Sequence, residues 1–196
     1  MTEGMFDRAL PLFGEEGMER LARSRESFHA LFAEQRVALF GVGGVGGACA
    51  EALVRGGVGH LTIVDGDVFT PSNLNRQRFA FRDGLGEPKA EYAARELERI
   101  SPSADIVAVN EYYSESSALD ISEFDYIVDA VDDLPAKITL VERARAAGVP
   151  IVSSCGAGNK LDPARFRVAD IYSTSVCPLA RALRKACRDR GIPSLR

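Results

Sequence analysis

Gly41, Gly43 and Gly46 stand in a G-x-G-x-x-G spacing, and Asp65 follows roughly 20 residues later. Glycine lets a chain bend tightly and brings backbone N–H groups close to a polyphosphate, whose charge the N-terminus of a following helix favours. A carboxylate at the place of Asp65 can accept hydrogen bonds from ribose hydroxyls. A turn kept glycine-rich only for packing is the plainer alternative, and Asp65 argues against it. Together these residues predict a nucleotide site.

The next residues decide which nucleotide. Asp67, Asn73, Asn75, Arg76, Gln77 and Arg78 crowd into the polar stretch after Asp65, and Lys89 opens the following helix. A nicotinamide enzyme has no general need for several cations aimed back at the phosphates. Attack of a carboxylate on the α-phosphate of ATP does need them, because charge develops on the phosphate oxygens and on departing pyrophosphate. Solvation explains any one of Arg76, Arg78 and Lys89, and explains their crowding less well. Further on, Asp129-Ala130-Val131-Asp132-Asp133 places carboxylates at the end of a strand. Magnesium prefers oxygen ligands and is often held by one or two carboxylates plus substrate phosphates. We therefore assign Asp132 to the metal and Asp133 to capping the helix from Leu134.

The elements that must position these groups alternate. The apolar run Val37–Phe40 reads as a strand, Gly47 to Arg55 as a helix, and His60 to Asp65 as a second strand. Glu87-Pro88 opens a helix to Ile100, with Pro88 in its first turn; Asp105–Val109 and Tyr126–Ala130 are strands. A helix from Leu134 to Ala147 ends at Gly148, and Pro150–Ser153 is a fifth strand. Strand and helix in alternation predict a Rossmann-like α/β fold: a mostly parallel sheet with helices on both faces. We divide the chain into an N-terminal helical arm (1–35), a nucleotide-binding core (36–159) and a basic C-terminal segment (160–196) that belongs with the core.

At 196 residues the chain can bury a real core, and 46% of its residues are hydrophobic. No apolar run approaches the ~20 residues of a membrane span, and the N-terminus lacks a signal-peptide pattern, so we expect a cytoplasmic protein. Cys49, Cys155, Cys177 and Cys187 form no C-x-x-C pair, which points to small core residues and to neither zinc nor disulfides. Residues 160–196 hold 9 Lys and Arg against 3 Asp and Glu, and the rest of the chain 15 against 25. Arg181, Arg184, Lys185 and Arg188 share one face of a helix, with Leu179, Leu183 and Ala186 on another. That face is either a solvated surface or a site for a phosphate-rich partner such as RNA.

Arg8, Gly41-x-Gly43-x-x-Gly46, Asp65-x-Asp67, Asn73-x-x-Arg76-Gln77, Gly86-x-x-Lys89 and Asp129-x-x-Asp132 together resemble the ubiquitin-activating-enzyme-like adenylating superfamily over residues 6–190. The resemblance implies Asp65 on the ATP ribose, Asp67, Asn73, Arg76 and Lys89 around the phosphates, and Asp132 on Mg2+. It implies too that Arg8 reaches into a partner subunit's site, hence a homodimer. Within the superfamily, Ser153 to Pro163, Val168 to Tyr172 and Cys177-Pro178-Leu179-Ala180 resemble the tRNA threonylcarbamoyladenosine dehydratase branch. Members of that branch cyclise the modified nucleoside with ATP and continue beyond the basic helix, whereas this sequence closes at Arg196. Binding of tRNA by Arg181, Arg184, Lys185 and Arg188 follows as an expectation. The competing expectations are activation of a ubiquitin-like sulfur carrier, with a carrier or sulfur-relay partner, nucleotide binding without turnover, and nicotinamide chemistry.

Overall fold

Strand β1 (Arg36–Phe40) is buried on both faces, and the alternation of its side chains decides where the helices lie. Val37 and Leu39 pack with Ala50 and Val54 of helix α1 (Gly46–Arg55) and with Ala90, Ala93 and Leu97 of α2 (Lys89–Glu98). Ala38 and Phe40 face the other way, onto Leu140 and Ala144 of α3 (Leu134–Ala147). The structure is a computed structural model that describes residues 32–158 and 160–196. Most of the expected arm, Arg8 included, lies outside the described residues.

With β2 (His60–Val64), β3 (Asp105–Val109), β4 (Tyr126–Asp129) and β5 (Ile151–Ser153), β1 forms a sheet of order β3-β2-β1-β4-β5. Every pairing is parallel, so the mostly parallel expectation is met in full. Such a sheet needs helical crossovers on its faces, and α1, α2 and α3 supply them. Register aligns Phe40 with Val64 on one side and with Asp129 on the other. The glycine turn, Asp65 and the acidic end of β4 therefore emerge together, on the edge where open α/β sheets bind ligands.

The helix ends follow local chemistry. Asp133 caps α3 by accepting a hydrogen bond from the Ala136 N–H at 2.9 Å, and Gly148 closes it with φ of 72°. Several strand and helix ends differ from the sequence reading by one residue, and both ends of α2 differ from it. Pro88, extended at ψ 131°, precedes α2 as its cap instead of lying in the first turn, and α2 ends at Glu98. Helix α4 (Pro178–Asp189) packs Ala180, Leu183 and Cys187 against Ile138 and Val141 of α3, joined by Ile171, Ile192 and Leu195. No described helix is long and apolar enough to cross a membrane.

Candidate active site

The glycine turn is built so that each fingerprint glycine answers a different demand. Gly41 has φ of +84°, and a Cβ there would lie 2.9 Å from the Ala130 carbonyl oxygen at the end of β4. A Cβ on Gly46 would lie 1.8 Å from the Gly41 oxygen, so the turn closes on itself through the first turn of α1. At Gly43 the nearest atom would be Gln77 Nε2 at 3.5 Å, an ordinary contact. Folding does not require glycine at 43, and a phosphate approaching the backbone does. Arg76 runs beside the same turn: its Cγ would be 3.9 Å from a Cβ on Gly44.

From the turn, hydrogen bonds lead without interruption into the polar loop. Asp65 accepts from the Val42 N–H at 2.8 Å and from the Asp67 N–H at 2.9 Å. Asp67 in turn accepts from Lys89 Nζ at 2.8 Å and from the Tyr112 hydroxyl at 2.6 Å. These two donors hold the Asp67 carboxyl below its ordinary value, and the same hydrogen bond pushes the Tyr112 phenol up. Lys89 is 95% buried, an unusual place for an ammonium without a partner. Its position is fixed by backbone as well, since the Lys89 N–H donates to the Asp67 carbonyl at 2.9 Å and Val68 bridges Pro88 in antiparallel fashion. The sequence reading placed Asp65 on a ribose; the structure adds that it braces the glycine turn.

Other expected residues divide. Asn73 is buried, and its side-chain oxygen accepts from the Thr70 N–H at 3.0 Å, closing the short turn Pro71–Asn73. Arg76 is exposed and held by the Ser72 carbonyl at 2.7 Å and Asn75 Oδ1 at 3.0 Å, leaving the rest of its guanidinium fork to reach a ligand. Gln77 is buried beside Gly43, and its Oε1 lacks a hydrogen-bond partner among the described residues. Arg78 does not join this group. It pairs with Glu51 on α1, through Nε on Oε2 and through Nη2 on Oε1, so one cation of the expected cluster is a surface brace.

At the end of β4, Asp132 is exposed. Asp129 is the reverse. It is fully buried, with both oxygens on Lys137 Nζ at 3.0 and 2.9 Å, and Ser153 Oγ donates to it at 2.6 Å. Burial pushes the Asp129 carboxyl up, while Lys137, Ser153 and the Val131 N–H oppose the rise. Lys137 also donates to the Ser154 carbonyl at 2.8 Å, tying α3 to the ends of β4 and β5. Sequence reasoning missed both Lys137 and Tyr112. For Lys137 the signal was a lysine one turn into the helix that follows Asp129.

The basic face of α4 is also narrower than expected. Arg181, Lys185 and Arg188 are exposed, whereas Arg184 turns inward and donates to the Thr174 carbonyl at 2.7 Å and to its Oγ1 at 2.6 Å. Cys177 caps this helix, accepting from the Ala180 N–H at 3.5 Å. Burial pushes the Cys155 thiol up, which is the behaviour of a packing residue.

The chain matches the ThiF family over residues 6–192. It is 36% identical over 189 residues to the tRNA threonylcarbamoyladenosine dehydratase of Bacillus subtilis, covering 95% of this chain and 70% of that protein. The Escherichia coli enzyme of the same name is 33% identical over 184 residues, 92% of this chain and 65% of its own length. The chain thus spans about two thirds of these curated bacterial relatives. The crystal structure of the E. coli dehydratase in complex with ATP superposes with a TM-score of 0.80 at 31% identity, over 91% of this chain and 76% of that one. A glycine turn braced by Asp65, a buried lysine on Asp67 and this kinship lead to one assignment: the chain belongs to the ThiF family, within the ubiquitin-activating-enzyme-like adenylating superfamily and its tRNA threonylcarbamoyladenosine dehydratase branch.

Proposed function

We propose that the chain uses ATP to adenylate the carboxylate of threonylcarbamoyladenosine in tRNA and then promotes its cyclisation, a net dehydration. The observation that carries this reading is the continuous hydrogen-bonded run from the Val42 N–H through Asp65 and Asp67 to the buried Lys89. It sets a cation and a clear glycine backbone on one sheet edge, as a polyphosphate requires.

In the first step a carboxylate oxygen bonds to the α-phosphorus, the bond to the bridging oxygen breaks, and pyrophosphate leaves. Gly43 and Gly46 present backbone N–H groups to the phosphates, Gly41 shapes the turn while its own N–H donates to the Val64 carbonyl at 2.8 Å, and Asp65 orients the ribose while bracing the turn. Asn73 steadies the loop that presents Arg76, and Arg76 and Lys89 neutralise charge developing on phosphate oxygens. In the second step a nitrogen of the same modification bonds to the activated acyl carbon, loses its proton, and AMP departs. Magnesium, when bound, supplies Lewis-acid neutralisation of the phosphates. Asp132 would hold it. Among the described residues no three His, Cys, Asp or Glu come together as a cage, so phosphate oxygens and water would complete its shell.

Arg181, Lys185 and Arg188 give tRNA an exposed cationic face, and Arg8 completes the site of a second copy in a homodimer. We keep the division at 1–35, 36–159 and 160–196, and a cytoplasmic setting, as parts of this reading. The test is incubation of the purified chain with ATP, magnesium and tRNA bearing the nucleoside. Release of AMP together with loss of one water from the nucleoside is expected. No AMP and an unchanged nucleoside mass would overturn the proposal, and pyrophosphate exchange that needs a ubiquitin-like carrier and no tRNA would redirect it to carrier activation.

A further inference from the structure

Tyr112 sits just past the end of β3, the edge strand of the sheet, and is 73% exposed. A tyrosine kept for packing buries its ring, and this one does not. What the structure secures instead is its hydroxyl, 2.6 Å from Asp67 Oδ1. The opposite carboxylate oxygen carries Lys89 Nζ at 2.8 Å. Asp67 therefore lies between a phenol from the segment after β3 and an ammonium from α2, each engaging one oxygen.

A second observation shows that the backbone is shaped for this contact. Gly66 lies between Asp65 and Asp67, and a Cβ there would come within 2.6 Å of the Tyr112 nitrogen and 2.8 Å of its ring Cδ2. Its φ is not in the left-handed region, so nothing about the turn itself calls for glycine. Glycine at 66 is what lets the end of β3 close over the end of β2. The sheet supports this approach, since Val64 and Val109 are register partners and the Asp65 N–H donates to the Val109 carbonyl at 3.1 Å.

We infer that Tyr112 is a positioning residue for ATP, which holds Asp67 by one oxygen so that Lys89 keeps hydrogen-bonding capacity for the phosphates; this rests on the adenylation reading above. A carboxylate with both oxygens open can draw an ammonium into a two-point grip. With the phenol on Oδ1, the grip is one-sided, and an ammonium has three N–H donors to distribute. Tyr112 touches neither Lys89 nor the reacting atoms in this account. It acts through Asp67 alone.

The experiment compares the full chain with Tyr112→Phe, Tyr112→Ala and Asp67→Asn variants, alone and combined, by direct titration with ATP and magnesium and by AMP formation on modified tRNA. Removing the hydroxyl is expected to raise the dissociation constant and the KM for ATP about tenfold, the scale of a hydrogen bond to a charged group. The KM for tRNA stays unchanged, and loss of one exposed hydrogen bond lowers the melting temperature only slightly. Phe and Ala give equal effects, and Tyr112→Phe adds nothing once Asp67→Asn is present. Wild-type affinity in Tyr112→Phe, a loss confined to Ala, or additive effects with Asp67→Asn would each overturn the inference. If the wild-type chain itself fails to bind ATP, the adenylation reading fails first, and that result is separate from all three.

Discussion

Lys137 Nζ lies 3.0 and 2.9 Å from the two carboxylate oxygens of Asp129, and neither side chain has exposed surface. Removing one partner of such a pair strands the other charge, at a cost of about 3–5 kcal/mol. Lys137→Met should therefore lower the unfolding free energy by that order in denaturant titration. Its stranded carboxyl titrates higher in the folded chain than in the unfolded one, so the remaining stability falls as pH rises. A paired Asp129→Leu, Lys137→Met variant should recover part of the loss, because two apolar residues leave no charge to desolvate, while the Val131 N–H and the Ser154 carbonyl still lose their partners.

The three fingerprint glycines should separate stability from ligand affinity. Gly41→Ala meets both a positive φ and the Ala130 oxygen, and is expected to cost about 1–3 kcal/mol. Gly43→Ala meets only an ordinary contact with Gln77, so its melting temperature should match wild type while ATP affinity collapses. Thermal melts with and without ATP read both effects, since a ligand that binds only the folded state raises the midpoint.

Arg76→Ala should leave stability within about 0.5 kcal/mol, because its two hydrogen bonds are local and exposed. AMP formation should nevertheless fall by about 100-fold, the order expected when a preorganised donor to developing charge is lost. Single-turnover assays with saturating ATP measure it.

Asp67 gives a pH dependence with a definite sign. Its carboxyl is held below the ordinary value by Lys89 and then Tyr112. The stability it contributes is complete above about pH 4, the unfolded value, and is lost as pH falls through the lower folded value. In chemical denaturation at descending pH, Asp67→Asn should show a shallower acid decline than wild type.

On α4, the exposed cations and Arg184 should behave differently. Replacing Arg181, Lys185 and Arg188 by Ala should weaken tRNA binding and flatten its salt dependence by about 0.7–0.9 log units per cation removed. Arg184→Ala should instead destabilise the chain, since it frees the Thr174 carbonyl and hydroxyl that its guanidinium holds. Filter binding across a salt series and thermal melts distinguish the two.

Features encoded by near neighbours were legible in the sequence. The apolar strand, glycine turn and helix of β1 and α1 follow from hydrophobic spacing, and Asp133 and Gly148 mark the ends of α3 as cap chemistry dictates. Contacts that cross the sheet were not. Tyr112 reaches Asp67 across 45 residues because β2 and β3 lie in register, a fact that exists only once the strand order is set. The same distance hid the destination of Arg78, whose partner Glu51 lies 27 residues earlier on another element. Arg184 shows a further gap: helical spacing places it with Arg181 and Arg188, but the irregular segment packed beside α4 supplies the oxygens that turn it inward.

The contact between Gly41 and Gly46 also bears on the thermodynamics of ligand capture. Any side chain at 46 would occupy the space of the Gly41 oxygen, so only glycine there lets the two ends of the turn meet, and the Val42 N–H on Asp65 and the Gly47 N–H on the Gly43 carbonyl tie down the residues between. The cradle is set when the chain folds, and a nucleotide entering it need not order a loop. Preorganisation of this kind removes a conformational penalty that association otherwise carries, so weak phosphate contacts there translate into affinity with little entropic loss.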